Sequence, residues 1–220
     1  MTAQQAENIE DLGQRFAEAL NQDDPLVSGL VPLLPAVWRI LADGRPASPA
    51  EIASASGRPI SEVSNIIAGT AQAEVDRDGR VLGAGLTLIP TPHRVLLPGV
   101  AHQLYVWCVP DAFAVSALLH QPLRVISPCH ATGRPVNVDL EPDQVRAVDP
   151  AAAVVAFVTD LDVSDTRGSV CVHQNLFVDA EAAAPWLAQH PHADIVPVAD
   201  GYRVLAPFLA EITARTERGS

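Results

Sequence analysis

The 220-residue chain contains no lysine. All 14 of its basic residues are arginine, against 26 Asp and Glu, for a formal net charge of −12. Such a surface repels phosphate, so neither nucleic acid nor an anionic membrane is expected as a partner. Cysteine is scarce too: Cys108, Cys129 and Cys171 are the only three. An odd number in a chain of this length argues against a disulfide framework and fits a reducing, cytoplasmic setting, where a thiol is catalytic, metal-binding or buried. No apolar run reaches the roughly 18 residues of a membrane-spanning helix. The first 20 residues lack the basic start and apolar stretch of a secretory signal. Also missing are a CxxC pair, an HExxH helix, a P-loop and a GxSxG elbow, and Gly83-Ala84-Gly85 is without the rest of a dinucleotide fingerprint. Zinc, nucleotide and serine-hydrolase chemistry therefore have no local signature here.

What is present is the composition of a folded protein, 48% hydrophobic and 18% charged. Ile9, Leu12, Phe16 and Leu20 lie on one helical face within a polar first 25 residues, ending near Asp23-Asp24-Pro25. Pro35 suits the first turn of a helix through Ile40 and Leu41, stopped at Asp43-Gly44. Ser48-Pro49-Ala50-Glu51 has capping-box spacing and opens a helix from Pro49 to Ser56, closed by Gly57. A further helix over about residues 61 to 72 carries Val63, Ile66 and Ile67, and Asp78-Gly79 marks a hairpin before Val81 to Ile89. Helix, helix, helix, hairpin is the order of a winged helix-turn-helix. The second helix of the helix-turn-helix pair, SEVSNIIAGTAQ, has no arginine for phosphates or guanine edges, which favours a packing or lid role over DNA binding.

Pro90 and Pro92 mark a boundary between an N-terminal helical, winged-helix-like domain (1–90) and a second domain (91–220). There, strands are expected at Arg124–Ile126, Val136–Leu140, Ala151–Val158, Val170–Phe177 and Ile195–Val198, with helices at Tyr105–Leu119, Ala180–Gln189 and Ala206–Arg215. Without a βαβ rhythm, the fold class is α+β with a mixed or antiparallel sheet and flanking helices.

Three segments carry chemistry. In Tyr105-Val106-Trp107-Cys108-Val109-Pro110-Asp111, thiol and carboxylate are three residues apart, close enough on a helix or a kinked turn for Asp111 to take the thiol proton and return it. The same spacing also fits a buried structural cysteine beside a helix-capping aspartate. In Ser127-Pro128-Cys129-His130, neighbouring side chains on a strand point to opposite faces, and Cys129 reads best as a small buried hydrophobe. In Gly168 to Phe177, strand alternation puts Cys171, His173 and Asn175 on one face. A lone His173 reads as a structural histidine. Two converging thiols would suit a thiophilic metal rather than Mg or Ca.

These segments resemble the bacterial organomercurial (alkylmercury) lyases. Tyr105-x-Trp107-Cys108-x-x-Asp111 is similar to the family's first cysteine segment, Arg124-Val125-x-Ser127-x-Cys129-x-Ala131-Thr132-Gly133-x-Pro135-Val136 to its second, and Ser169-Val170-Cys171-x-His173 with Phe177 to its third. The likeness runs from about residue 28 to 210, and upstream it takes in Leu41-Ala42-x-Gly44-Arg45-Pro46 and Gly85-Leu86-Thr87-Leu88. It implies cleavage of the carbon–mercury bond of alkyl or aryl mercurials by protonolysis, giving a hydrocarbon and Hg(II). Cys108 and Cys171 would be the catalytic thiols that hold mercury, Asp111 the proton shuttle and mercury-proximal carboxylate, and Cys129 the structural cysteine. His130 and Gln174 match no catalytic role. No cofactor is implied. External thiols would release the product, with cellular thiols or a mercuric reductase as acceptor. Trp107 and Phe113 are the expected walls of an apolar substrate pocket. A non-catalytic mercury or copper binder or sensor would need the two thiols but not Asp111.

Overall fold

The computed structural model describes residues 3–20, 29–159 and 166–218. Helix α1 (Ala3–Leu20) buries Ile9, Leu12 and Phe16, the face expected from their spacing. The Asp23-Asp24-Pro25 stop lies outside the described residues. Helix α2 (Leu34–Ala42) has Pro35 in its first turn, where a missing N–H costs nothing. Helix α3 (Pro49–Ser56) opens on the complete Ser48/Glu51 capping box and closes at Gly57 in the left-handed region. Helix α4 (Ile60–Gly69) follows. Strands β1 (Glu74–Val75) and β2 (Val81–Ala84) form the expected hairpin, with the Asp76 carboxylate accepting the Asp78 and Arg80 amides inside the turn. The alternating stretch Val81 to Ile89 holds two strands. Gly85, at φ +78°, reverses the chain into β3 (Leu86–Thr87).

Strands β4 (His93–Leu96) and β5 (Leu104–Val106) precede helix α5 (Val109–Leu119). A single helix over Tyr105–Leu119 is thus corrected. Residues 104–106 pair with β3 and β4, and Pro110 fits the first turn of a helix but not its interior. Strands β6 (Leu123–Pro128), β7 (Pro135–Glu141) and β8 (Gln144–Asp149) complete an eight-stranded antiparallel sheet in the order β1-β2-β3-β5-β4-β6-β7-β8. A smaller antiparallel sheet has β9 (Val154–Val158) between β10 (Leu176–Phe177) and β11 (Ala193–Pro197), with helix α6 (Ala180–Leu187) against it. Helix α7 (Gly201–Arg218) packs on α1 and α5. The fold is α+β as expected, and the hairpin strands and the later strands share one sheet. Among the described residues no helix is long and apolar enough to cross a membrane.

The expected strand over Val170–Phe177 is also corrected. Residues Thr166–Val170 form a π-type turn and Cys171–His173 a 3₁₀ turn, so only Leu176 and Phe177 are extended. Cys171, His173 and Asn175 therefore do not share a strand face. Neighbouring residues here are buried together, Val170 with Cys171 and Gln174 through Phe177, with only Val172 exposed, so the burial does not follow the alternation of a strand.

Phe113 belongs to the core and not to a pocket wall. It is fully buried, its ring meets Tyr202 edge-on at 4.9 Å, and Gly201 leaves room for it: a Cβ there would lie 2.7 Å from the ring. Phe113→Ala is expected to lower stability by about 3–5 kcal/mol in urea denaturation, the usual cost of emptying a buried aromatic site.

Candidate functional site

Strand β5 ends at Val106, and the Trp107 amide donates to the Gly85 carbonyl at 2.9 Å. Cys108, in extended conformation, is the N-cap of α5, which makes Asp111 the third helical residue. From there the carboxylate folds back, and Asp111 Oδ2 accepts the Cys108 amide at 3.0 Å and the Cys108 Sγ–H at 3.2 Å. Gly85 lines this spot closely, since a Cβ on it would sit 3.3 Å from Asp111 Oδ1. Cys171 arrives from the 3₁₀ turn, its Sγ 3.9 Å from the same Oδ2. One ligand atom from each of Cys108, Asp111 and Cys171 lies within 4.8 Å of the others, so the structure brings these three residues together.

Burial sets the electrostatics. It raises the Asp111 carboxyl to about 6, against the pull of hydrogen bonds from Cys108 and Cys171. It also pushes the Cys108 thiol well up, helped by the hydrogen bond to Cys171 and the Asp111 charge. For Cys171 the hydrogen bond with Cys108 is the largest influence and favours the thiolate. Burial and Asp111 oppose it and the net shift is upward, while Arg167 adds a favourable positive charge.

Arg167 belongs to a latch. Its guanidinium pairs with Glu74 and lies 5.8 Å from the centre of the Trp107 ring. Glu74 Oε2 also accepts Thr87 Oγ1 at 2.6 Å and Trp107 Nε1 at 3.2 Å. The Thr166 amide donates to Gln72 Oε1 at 3.0 Å. These contacts tie the turn before Cys171 to the N-terminal hairpin. On its other side, buried Gln174 clamps β9, with Oε1 accepting the Val158 amide and Nε2 donating to the Val158 carbonyl, both at 3.3 Å. Local sequence gives no signal for Gln72, Glu74 or Arg167, whose partners are distant in the chain.

A cavity of about 130 Å³ ends on the three residues and is walled mainly by Phe16, Leu30, Leu34, Trp38, Phe208 and Ile212. Trp107 lines it, as expected. Cys129 lies elsewhere, buried in a turn, where its sulfur accepts the Val178 amide at 3.4 Å. The His130 ring packs edge-on near Phe177 and Trp186, away from Cys108.

The profile described as alkylmercury lyase matches residues 86–209, and that of the helix-turn-helix domain of alkylmercury lyase matches residues 11–85. This chain belongs to the alkylmercury lyase family. Family members similar to it include the alkylmercury lyase of Streptomyces lividans, 41% identical over 84% of this chain and 87% of that one. That of Staphylococcus epidermidis is 35% identical over 90% and 89%. A solved structure titled the mercury-bound form of MerB2 shares the fold, with a TM-score of 0.70 at 21% identity over 95% of this chain and 98% of that one.

The raised Asp111 carboxyl has a consequence for stability. The native state holds a proton there that the unfolded chain has released, so this group's contribution is lost as pH rises from about 4 through about 6. Asp111→Asn removes that loss. Thermal melts between pH 4 and 8 should show the variant gaining on the parent across that window and holding a constant difference above it.

Proposed function

We propose that the protein cleaves the carbon–mercury bond of alkyl and aryl mercurials by protonolysis, with Cys108, Cys171 and Asp111 as its catalytic residues. The observation that carries this reading is one half-buried carboxylate within reach of two buried thiols at the end of an apolar cavity.

The chemistry follows from the donors. Mercury is soft and prefers thiolate sulfur. Cys171, the thiol favoured by Arg167, loses its proton with the departing counter-ligand and takes R–Hg⁺ as a sulfur–mercury bond. The apolar wall receives the organic group. Cys108 then passes its proton to Asp111 Oδ2 and adds its own sulfur to the metal. Two sulfur donors push electron density onto the carbon. Asp111, a carboxyl near 6, can accept a proton at neutral pH and give it up again, as a general acid–base must. The proton goes to carbon, the carbon–mercury bond breaks and R–H leaves. Hg(II) stays on the two sulfurs, and Asp111 is again a carboxylate.

In this reading no cofactor takes part. External thiols lift Hg(II) from the site, with cellular thiols or a mercuric reductase as acceptor, and the setting is the cytoplasm. Residues 1–90 act as a cover and clamp, and residues 91–220 carry the chemistry. Cys129 supports its turn and touches no reacting atom.

Headspace gas chromatography of benzene from phenylmercury, with excess thiol, tests the assignment. The parent protein should release benzene. Cys108→Ala and Cys171→Ala should release none above background. Asp111→Asn should still bind about one mercury per chain but turn over about 10²–10⁴-fold more slowly. Cys129→Ala should lose stability, on the order of 1 kcal/mol, more than turnover. Mercury binding without hydrocarbon from the parent would instead mark a soft-metal binder.

A further inference from the structure

A second cavity, of about 210 Å³, lies beside the turn that carries Cys171 and shares no lining residue with the first. Three of the seven histidines of the chain, His173, His190 and His192, line it. Its floor includes Val158 and Ala193, which are paired across β9 and β11. None of these histidines enters the carbon–mercury chemistry.

The His173 and His190 rings are 5.5 Å apart and tilted by 55°. His190 is held on two sides. Its ring stacks on buried Trp186 at 4.0 Å, with 14° between the planes, and its Nδ1 is 2.8 Å from the Trp186 carbonyl oxygen. A carbonyl only accepts, so Nδ1 carries the proton and the Nε2 lone pair is left for another partner. Fixing one ring nitrogen on a backbone carbonyl is how proteins orient a metal-binding imidazole. The spacing suits a shared ion. Imidazole nitrogen binds at about 2.0–2.1 Å, which puts each ring centre about 3.2 Å from the metal. Rings 5.5 Å apart then subtend about 120° at it, within the range of a four-coordinate ion. His192 lines the same cavity, but among the described residues only Cys108, Asp111 and Cys171 bring three such ligand atoms within 4.8 Å of one another, so the site rests on two imidazoles with water for the rest.

We propose that His173 and His190 form a binding site for a borderline divalent transition metal of the Cu²⁺, Ni²⁺ or Zn²⁺ class, separate from the thiol site. Imidazole suits these ions, and no thiol lines the cavity to draw mercury there. The bound ion joins the turn Cys171–His173 to the loop after α6, so it braces the element that carries Cys171.

Copper titration followed by electron paramagnetic resonance tests this in the Cys108→Ser/Cys171→Ser variant, where the two thiols of the first cavity are gone and only the buried Cys129 remains. One Cu²⁺ per chain with coupling to two imidazole nitrogens is expected. His173→Ala and His190→Ala added to that background should each weaken binding at least 10-fold, whereas His120→Ala should not. Equal binding in all of them, or a signal without imidazole nitrogen, would overturn the site. Should the variants fold poorly, the parent protein labelled with ¹⁵N-histidine and titrated with Zn²⁺ gives an independent answer. The His190 Nε2 and a His173 ring nitrogen should shift while His190 Nδ1 stays protonated. Zn²⁺ that leaves both rings unshifted would rule the site out.

Discussion

The hydrogen bonds from the Cys108 amide and thiol to Asp111 Oδ2 are the interaction on which the site depends. A carboxylate beside two thiols in an apolar cavity is unfavourable by itself. It is tolerated because Asp111 is the third residue of α5, where free amides and the positive end of the helix dipole favour negative charge. The balance leaves the group near 6, neither a spectator anion nor a permanent acid. Local features enforce this position. Pro110 fixes the first helical turn, Cys108 supplies the extended cap, and Gly85 leaves the carboxylate its space.

The second thiol is a long-range problem. Cys171 sits 60 residues from Asp111 on a turn with little regular structure of its own. Contacts on two sides position that turn. Gln174 grips the backbone of β9, and Arg167 and Thr166 reach the hairpin residues Glu74 and Gln72. The N-terminal hairpin thus packs against the candidate site. Glu74 gathers Thr87, Trp107 and Arg167 into one polar knot. Helices α1 and α7 pack together and supply Phe16, Phe208 and Ile212 to the wall facing the thiols.

Much of this was legible in the sequence where the cause is local. The Ser48 capping box, Pro35, the Asp78-Gly79 turn and the α1 face each produce the element expected of them. The three-residue spacing of Cys108 and Asp111 predicts their contact. Where several causes compete, local patterns mislead. The sequence of residues 170–177 alternates like a strand, yet the chain turns at 166–173, where Thr166 bonds Gln72 and Gln174 bonds the backbone of β9. Tyr105 and Val106 continue a helical pattern into α5, yet sheet pairing claims them first. Phe113 and Trp107 are equally plausible as pocket walls, and only the packing of Tyr202 and Gly201 assigns Phe113 to the core. Partners brought together by tertiary structure alone, such as Glu74 with Arg167, leave no trace in spacing.

The central claim is that the proton reaching carbon travels through Asp111 from exchangeable thiol. It is tested most directly by running the reaction of phenylmercury in D₂O and analysing the benzene by mass spectrometry. The account predicts one deuterium per benzene from the parent protein, and little benzene of any mass from Asp111→Asn. Benzene without deuterium, or undiminished deuterated benzene from Asp111→Asn, would contradict it.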